Sequence, residues 1–245
     1  MVSGANKTEP AHDARQKFFH LGAFRYSGVG LLALLVLLFL SAPFIEDLPN
    51  GGLIEAVLMS AVMVSSVLAV GGRRRTLIIA LLLLVPAFAG KWLNHFFPGV
   101  VFSLHYSIAA LLFFIFVVTN LIRFVLRAPR VDANVLCAGL SGYLLLGLLW
   151  VPTYVMVAQL NPGAFKMSSG AGSSMNGYSA FYFSFITLCT VGYGDVTPVS
   201  NGARMLAVVE AIAGVFYVAV LISRLVAVYS ATQPSAATAS DPNPK

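Results

Sequence analysis

Charged residues are scarce in this sequence: they make up 10% of its 245 residues, whereas hydrophobic residues make up 58%. A soluble domain carries about 25% charged residues, so these charges are too few to cover a surface in contact with water. The apolar excess also excludes a disordered or fibrous chain. The composition therefore predicts an integral membrane protein.

Cysteine is equally rare. Cys137 and Cys189 both lie in apolar stretches, where buried free thiols are the usual finding, so we expect no disulfide. The net charge of +6 comes from basic residues in short clusters between apolar runs. Such clusters are typical of topology signals in membrane proteins and not of a surface that binds nucleic acid. No cleavable signal peptide is expected, because the segment Met1–Tyr26 is long and polar.

The apolar residues form six runs that are long enough for a transmembrane helix, which needs about 20 residues. The predicted spans are Tyr26–Ile45, Leu53–Val70, Thr76–Trp92, Val100–Ile122, Val135–Leu160 and Arg204–Tyr229. A shorter apolar run, Tyr178–Cys189, has about half the required length and predicts a re-entrant helix. Before it, Lys166–Gly177 is rich in Gly and Ser and predicts a loop without regular structure. The predicted fold class is an all-α membrane protein.

Lys and Arg are distributed unequally between the two ends of the predicted spans. Three of the fifteen basic residues fall on one side, and these are Lys91, Lys166 and Arg204. The other twelve fall on the opposite side: Lys7, Arg15, Lys17, Arg25, Arg73, Arg74, Arg75, Arg123, Arg127, Arg130, Arg224 and Lys245. The positive-inside rule then predicts a multi-pass protein of the inner (plasma) membrane with both termini in the cytoplasm.

The spans and the segments between them divide the chain into four predicted parts. Residues 1–25 form a cytoplasmic N-terminal segment, and residues 26–130 form a four-span module. Residues 131–230 form a second module that contains the re-entrant helix, and residues 231–245 form a disordered cytoplasmic tail.

A six-residue motif follows the re-entrant run: Thr190, Val191, Gly192, Tyr193, Gly194 and Asp195. Gly192 and Gly194 alternate with larger residues in this motif, and glycine adopts positive φ at no steric cost. Backbone of this kind is tolerated at membrane depth only where it lines a path for water or ions.

With this motif, the chain from Val135 to about Tyr229 resembles the tetrameric potassium channel family in its bacterial, membrane-only form. The resemblance implies a homotetramer of three further identical subunits around a central pore, and passive conduction of K⁺ without enzyme activity. It implies that K⁺ binds to the carbonyls of Thr190, Val191, Gly192 and Tyr193 and to the Thr190 hydroxyl, with Gly194 completing the filter. No cofactor is expected apart from K⁺ as the permeant ion.

The resemblance also assigns roles to residues around the filter. Ala180–Cys189 corresponds to the pore helix, with Thr187 among its filter-supporting residues. Tyr182 and Phe183 fall where the family places an aromatic cuff, and ordinary packing is the alternative. Tyr182 is expected to donate a hydrogen bond to Asp195. Ile186 replaces an acid that some members carry.

The last span corresponds to the inner helix of the family. Gly214 occupies its hinge position, although a close helix contact is an alternative reading of this glycine. From that register, Val215, Val218 and Ile222 are expected to line an apolar central cavity.

Glu210 is an acidic residue deep in the last span, where an unpaired carboxylate costs several kcal/mol. Two placements compete. In one, Glu210 faces the ion path. In the other, which helical geometry favours because Glu210 lies about 100° from the cavity-facing line, it accepts hydrogen bonds from Ser184 or Thr187 of the pore helix and supports the filter.

The fourth span contains no Lys or Arg between Val100 and Ile122, whereas a voltage sensor carries several arginines there. The four-span module is therefore interpreted as a scaffold around the pore, with a sensor of another membrane stimulus as the alternative. Arg73, Arg74 and Arg75 either contact anionic lipid or act as topology signals alone. His95 and His105 are read as structural, with external pH sensing as the alternative.

Two other functions compete with a potassium channel. One is a membrane subunit of a potassium uptake transporter, which the single filter motif disfavours because such subunits carry four degenerate copies. The other is a weakly selective cation channel. A non-conducting scaffold is disfavoured by the complete motif.

Overall fold

The computed structural model describes residues 28–45, 48–70, 74–97, 100–168, 175 and 177–232. Several predicted features lie outside these residues: the N-terminal segment 1–25, Arg73, most of the Gly/Ser-rich loop, and residues 233–245 of the tail.

The described chain is almost entirely helical. Its elements are α1 Gly28–Ile45, α2 Gly51–Val70, α3 Arg74–Phe96, α4 Val100–Arg127, α5 Ala133–Leu160, β1 Phe165–Met167, α6 Gly177–Leu188, β2 Val196–Pro198 and α7 Asn201–Thr232. Within the described residues, six helices (α1 to α5 and α7) are long and apolar enough to cross a membrane. The predicted all-α, multi-pass membrane fold is therefore confirmed. We refer to α1–α4 as the four-span module and to α5–α7 as the pore domain.

Several helices extend beyond the apolar runs that predicted them. The helix α3 continues past Trp92 to Phe96, and α4 continues past Ile122 to Arg127. These added turns contain polar and charged residues, which a hydropathy window excludes although the backbone hydrogen bonds continue. The last helix, α7, also extends beyond its predicted span and reaches Thr232, so the first two residues of the predicted tail are helical.

The predicted loop Lys166–Gly177 is wrong at its beginning. Lys166 and Met167 belong to β1, which pairs antiparallel with β2 so that Met167 faces Val196. Further along, Met175 is buried among residues of the pore domain. A three-residue strand is too short to produce a periodic pattern in the sequence, and its pairing partner lies beyond the pore helix.

The four-span module packs against the pore domain of its own chain. The connection between α4 and α5 has only the residues 128–132, and α4 lies along α5. Asp132 caps the start of α5 by accepting a hydrogen bond from the backbone N–H of Val135 at 2.9 Å. A short connection between consecutive helices favours antiparallel neighbours, which places the module directly beside its own pore domain.

A further contact joins the module to the pore helix. The ring of Phe39 on α1 lies 4.9 Å from that of Phe181 and 4.5 Å from that of Phe185, centroid to centroid. Phe185 itself rests on Gly147 of α5, where a Cβ atom would collide with its ring. Small residues of this kind let helices approach closely in a membrane, so α6 is held between α1 and α5.

Candidate functional site: the filter loop and its support

The loop after α6, Cys189–Asp195, is called the filter loop here. Its backbone conformation alternates between positive and negative φ. Positive φ recurs at Thr190 (58°), Gly192 (53°) and Gly194 (82°), and the intervening Val191 and Tyr193 do not share it. Two of these positions are the glycines for which the sequence predicted such a conformation. Thr190 is the one non-glycine residue with positive φ in the described chain. Because a β-branched residue is strained there, the surroundings must hold Thr190 in place.

Hydrogen bonds to the pore helix supply this restraint. The carbonyl oxygen of Ile186 accepts from the backbone N–H groups of Val191 at 2.8 Å and Gly192 at 3.2 Å. The Thr190 N–H donates to the carbonyl of Thr187 at 2.9 Å. Orphan carbonyls at a helix C-terminus are normally satisfied by such turns. Thr187 thus contacts the loop through its backbone carbonyl, and its role as a filter support stays a prediction. Ile186 contributes a carbonyl that the sequence did not indicate.

The far end of the loop is fixed at Asp195. Its carboxylate accepts hydrogen bonds from the Tyr182 hydroxyl at 2.7 Å and from the backbone N–H of Val196 at 3.0 Å. Its backbone carbonyl accepts from the N–H of Ser168, just beyond β1. The predicted bond between Tyr182 and Asp195 is therefore present, and it raises the pKa of the Tyr182 hydroxyl to about 12.

Phe183 does not form an aromatic cuff within this chain. Its ring is buried and packs edge-on against Tyr154, with centroids 4.9 Å apart, and against Phe165 at 5.6 Å. This packing fits the alternative reading of Phe183, and its place in an aromatic cuff stays a prediction. Adjacent positions on a helix point about 100° apart, so Tyr182 faces Asp195 while Phe183 faces the core of the pore domain.

Between its two anchored ends, the filter loop has little cover from its own chain. The side chains of Val191 and Tyr193 are 51% and 74% exposed, and Gly192 and Gly194 are exposed as well. At membrane depth, such a surface is tolerated where it lines a path for water or ions or is covered by protein.

Glu210 is fully buried behind the pore helix. It accepts a hydrogen bond from the Ser184 hydroxyl at 2.6 Å, and its second oxygen accepts from the hydroxyl of Tyr154. Of the two placements left open by the sequence, the carboxylate thus takes the one against the pore helix. Ser184 is the donor, not the Thr187 side chain, and Tyr154 was missed because 56 residues separate it from Glu210. Three helices of the pore domain meet at this carboxylate.

Gly214 lies one turn further along α7, beneath the end of the pore helix. A Cβ atom at this position would collide with the Leu188 carbonyl oxygen and lie 2.9 Å from a Leu188 methyl carbon. The geometry fits the close-contact reading of Gly214, and its role as a hinge stays a prediction. Val215, Val218 and Ile222 are exposed within the single chain, as residues facing a shared cavity would be.

Other predicted residues lie apart from the filter loop. Arg74 and Arg75 are exposed at the start of α3. His95 contacts the rings of Trp92 and Phe96, whereas His105 is exposed.

Both cysteines are free. Cys189 is exposed at the start of the filter loop, where the apolar sequence around it indicated a buried thiol.

Part of the chain is similar to known proteins. Residues 137–231 match a family model described as ion channel. The chain is 32% identical over 122 residues, 49% of its length, to the voltage-gated potassium channel Kch of Escherichia coli (strain K12), of which the match covers 25%. It is 38% identical over 65 residues, 26% of its length, to two pore potassium channel c of Oryza sativa subsp. japonica, of which the match covers 14%.

The matched part of the chain is thus similar to ion channels, and two of these relatives are named as potassium channels. The matched region contains most of α5, all of α6 and the filter loop, and nearly all of α7. The chain is also 37% identical over 83 residues, 32% of its length, to protein LctB of Bacillus caldotenax, of which the match covers 61%. The matches thus cover less than two thirds of each of these relatives. No solved structure is significantly similar to this chain.

Proposed function

We propose that four copies of this chain form a potassium-selective channel that conducts K⁺ passively. The observation that carries this proposal is the alternating backbone of the filter loop, with positive φ at Thr190, Gly192 and Gly194. Alternation turns successive carbonyls toward the same side, and rings of backbone carbonyls replace the hydration shell of K⁺ in such filters. The binding oxygens are the carbonyls of Thr190, Val191, Gly192 and Tyr193 together with the Thr190 hydroxyl.

The homotetramer follows from what one chain lacks. A single copy of the filter loop provides one side of a ring, and closed cyclic symmetry is the common way to complete it. The exposed Val191 and Tyr193 side chains are then covered by neighbouring subunits. On α7, Val215, Val218 and Ile222 form the wall of an apolar cavity in which the ion stays hydrated, with Gly214 at the level of the filter base.

The orientation in the membrane belongs to the same proposal. The excess of Lys and Arg on one side supports cytoplasmic termini in the inner (plasma) membrane. The filter then opens to the outside, and Arg74 and Arg75 reach anionic lipid head groups on the cytoplasmic side. The four-span module acts as a scaffold, consistent with its packing along α5 and its contact with the pore helix.

Ion flux through the purified protein in liposomes tests the proposal. We expect K⁺ and Rb⁺ to pass far better than Na⁺ with no energy source and no other protein present. Thr190→Ala removes one ring of hydroxyl ligands and is expected to weaken block by Ba²⁺. Gly192→Ala places a Cβ at a φ of 53°, where a left-handed conformation costs about 1–2 kcal/mol, and should reduce flux.

The outcomes separate the competing functions. Equal Na⁺ and K⁺ permeability, measured from reversal potentials, would indicate a weakly selective cation channel. Flux that appears only with a further subunit or an energy source would indicate part of an uptake transporter. A dimeric or monomeric particle by mass measurement of the conducting form would contradict the tetramer.

A further inference from the structure

A second candidate site, a cavity that could bind a ligand, lies outside the filter between the four-span module and the pore domain. A cavity of about 540 Å³ opens there, with walls from α1 to α5 and from the first turns of the pore helix α6. Its volume falls within the range of about 300–1,000 Å³ that is typical of ligand pockets. It lies at the end of the helix bundle where α6 begins, and no step of ion conduction uses it.

One part of the wall carries an ion pair. The Lys91 ammonium lies 2.7 Å from the Glu55 carboxylate and 5.8 Å from the centre of the Tyr106 ring. An ammonium has three N–H donors, and the bond to Glu55 uses one of them. Among the described residues of the lining, Lys91 and Glu55 are the two charged ones, and their charges cancel.

Two further polar groups of the lining have no hydrogen-bond partner. The Ser107 side chain is 2% exposed and its hydroxyl is unpaired, and the Oε1 atom of Gln159 is buried and unpaired as well. The Gln159 amide nitrogen, in contrast, donates to the Ser103 hydroxyl. A buried polar atom without a partner costs about 1–3 kcal/mol, so both groups favour a polar ligand that reaches them.

Another part of the wall is apolar. Leu38, Met59, Phe114, Leu148 and Val151 line the cavity next to the polar groups. The cavity therefore offers donors, acceptors and a hydrocarbon surface side by side within a membrane protein.

We propose that this cavity binds the head group and the adjoining acyl chain of a zwitterionic phospholipid with a primary ammonium, phosphatidylethanolamine. The lipid phosphate accepts from the free Lys91 and Ser107 donors, and its ammonium donates to Gln159 Oε1 and Glu55. Because Glu55 already balances Lys91, the described lining has no net positive charge to compensate a lipid with net negative charge. Phosphatidylcholine fits less well because its quaternary ammonium has no N–H to donate to Gln159. The acyl chain lies along Leu38 and Phe114.

Native mass spectrometry of the delipidated whole protein tests the lipid class without any mutation. The probes are phosphatidylethanolamine, phosphatidylcholine and phosphatidylglycerol with identical acyl chains. We expect one phosphatidylethanolamine per subunit to be retained about tenfold more strongly than phosphatidylcholine, the value of one charge-assisted hydrogen bond. Equal retention of the three lipids, or preference for phosphatidylglycerol, would overturn the proposal. Retention of none would show that the cavity holds water only and would overturn it too.

Two variants locate the binding site. Ser107→Met removes the unpaired hydroxyl and replaces it with a longer apolar side chain, and it is expected to remove the retained lipid. The matched control Ser223→Met, on the exposed face of α7, is expected to retain it. Gln159→Leu removes the unpaired acceptor and is expected to lower phosphatidylethanolamine retention to the level of phosphatidylcholine. Unchanged retention and selectivity in both variants would place the bound lipid elsewhere and contradict the proposal. The K⁺ flux of each variant is measured as a control that the channel is assembled.

Discussion

Gly214 lies directly beneath the carbonyl oxygen of Leu188, so that the inner helix touches the last turn of the pore helix. One turn earlier on both helices, Glu210 accepts a hydrogen bond from Ser184. These two contacts show that α6 and α7 run in the same direction with a matched register. The filter loop, which begins just after Leu188, is therefore seated on α7 at the position of Gly214.

Gly214→Ala tests whether this glycine provides contact or bending. Its Cβ would collide with the Leu188 carbonyl, and overpacking of this kind costs about 1–3 kcal/mol. We expect a lower melting temperature of the assembled protein and reduced K⁺ flux. Gly202→Ala in the same helix is the control, since nothing lies within 4 Å of its Cβ position. A stable Gly214→Ala variant with altered gating would support a hinge instead.

The Glu210 carboxylate holds three helices together, so its two donors should matter for stability. Tyr154→Phe and Ser184→Ala each leave one carboxylate oxygen without its donor, at about 1–3 kcal/mol. The double variant should lose less than the sum, because the groups share one partner. Thermal unfolding of the four proteins in detergent measures this coupling.

Glu210→Gln keeps the shape of the side chain but can no longer accept from both hydroxyls. We expect a less stable assembly and nearly unchanged block by internal tetraethylammonium, because the carboxylate is buried away from the ion path. A large loss of blocker affinity at unchanged stability would instead place Glu210 in the cavity.

The bond from Tyr182 to Asp195 anchors the far end of the filter loop. Tyr182→Phe removes it, and we expect conduction to be lost sooner when K⁺ is depleted, as recorded in planar bilayers. Tyr178→Phe on the same helix is the control. Since the pKa of Tyr182 is raised to about 12, the anchor should persist at neutral pH and weaken only as the pH rises from about 10 through 12. A loss of the anchor near neutral pH would contradict this assignment.

Arg224 links the inner helix to the connection between the two modules. Its guanidinium donates to the Ala128 carbonyl at 2.8 Å, and a hydrogen bond from a charged group contributes about 1.5–3 kcal/mol. Arg224→Ala should therefore destabilise the protein or shift its open probability, while Arg130→Ala, at an exposed position of the same connection, should not. Equal behaviour of the two variants would show that the link has no influence.

Voltage dependence should be weak. The described α4 has no Lys or Arg before Arg123, whereas steep gating needs three or four charges per subunit to move through the field. We expect a shallow relation between open probability and voltage in reconstituted channels. A steep sigmoid, as the name of the Escherichia coli relative suggests for that protein, would show that charges elsewhere move with voltage.

The sequence by itself determined the six spans, the re-entrant helix and the filter loop. Each of these depends on neighbouring residues: a span on the hydropathy of about 20 consecutive positions, and the filter loop on glycines that adopt positive φ at Gly192 and Gly194. The placement of Glu210 against the pore helix was also predictable, because helical periodicity set its angle to Val215 and Ile222.

Only the tertiary structure decided which distant residues meet. It paired Glu210 with Tyr154, Lys91 with Glu55, and β1 with β2. It also directed the Phe183 ring toward the core of the pore domain. Partners that are 26 to 56 residues apart in the chain depend on the register and rotation of packed helices. The apolar sequence of a span does not determine this register, because lipid solvates every apolar face of a helix equally well. Polar contacts and small residues determine which helix faces pack together.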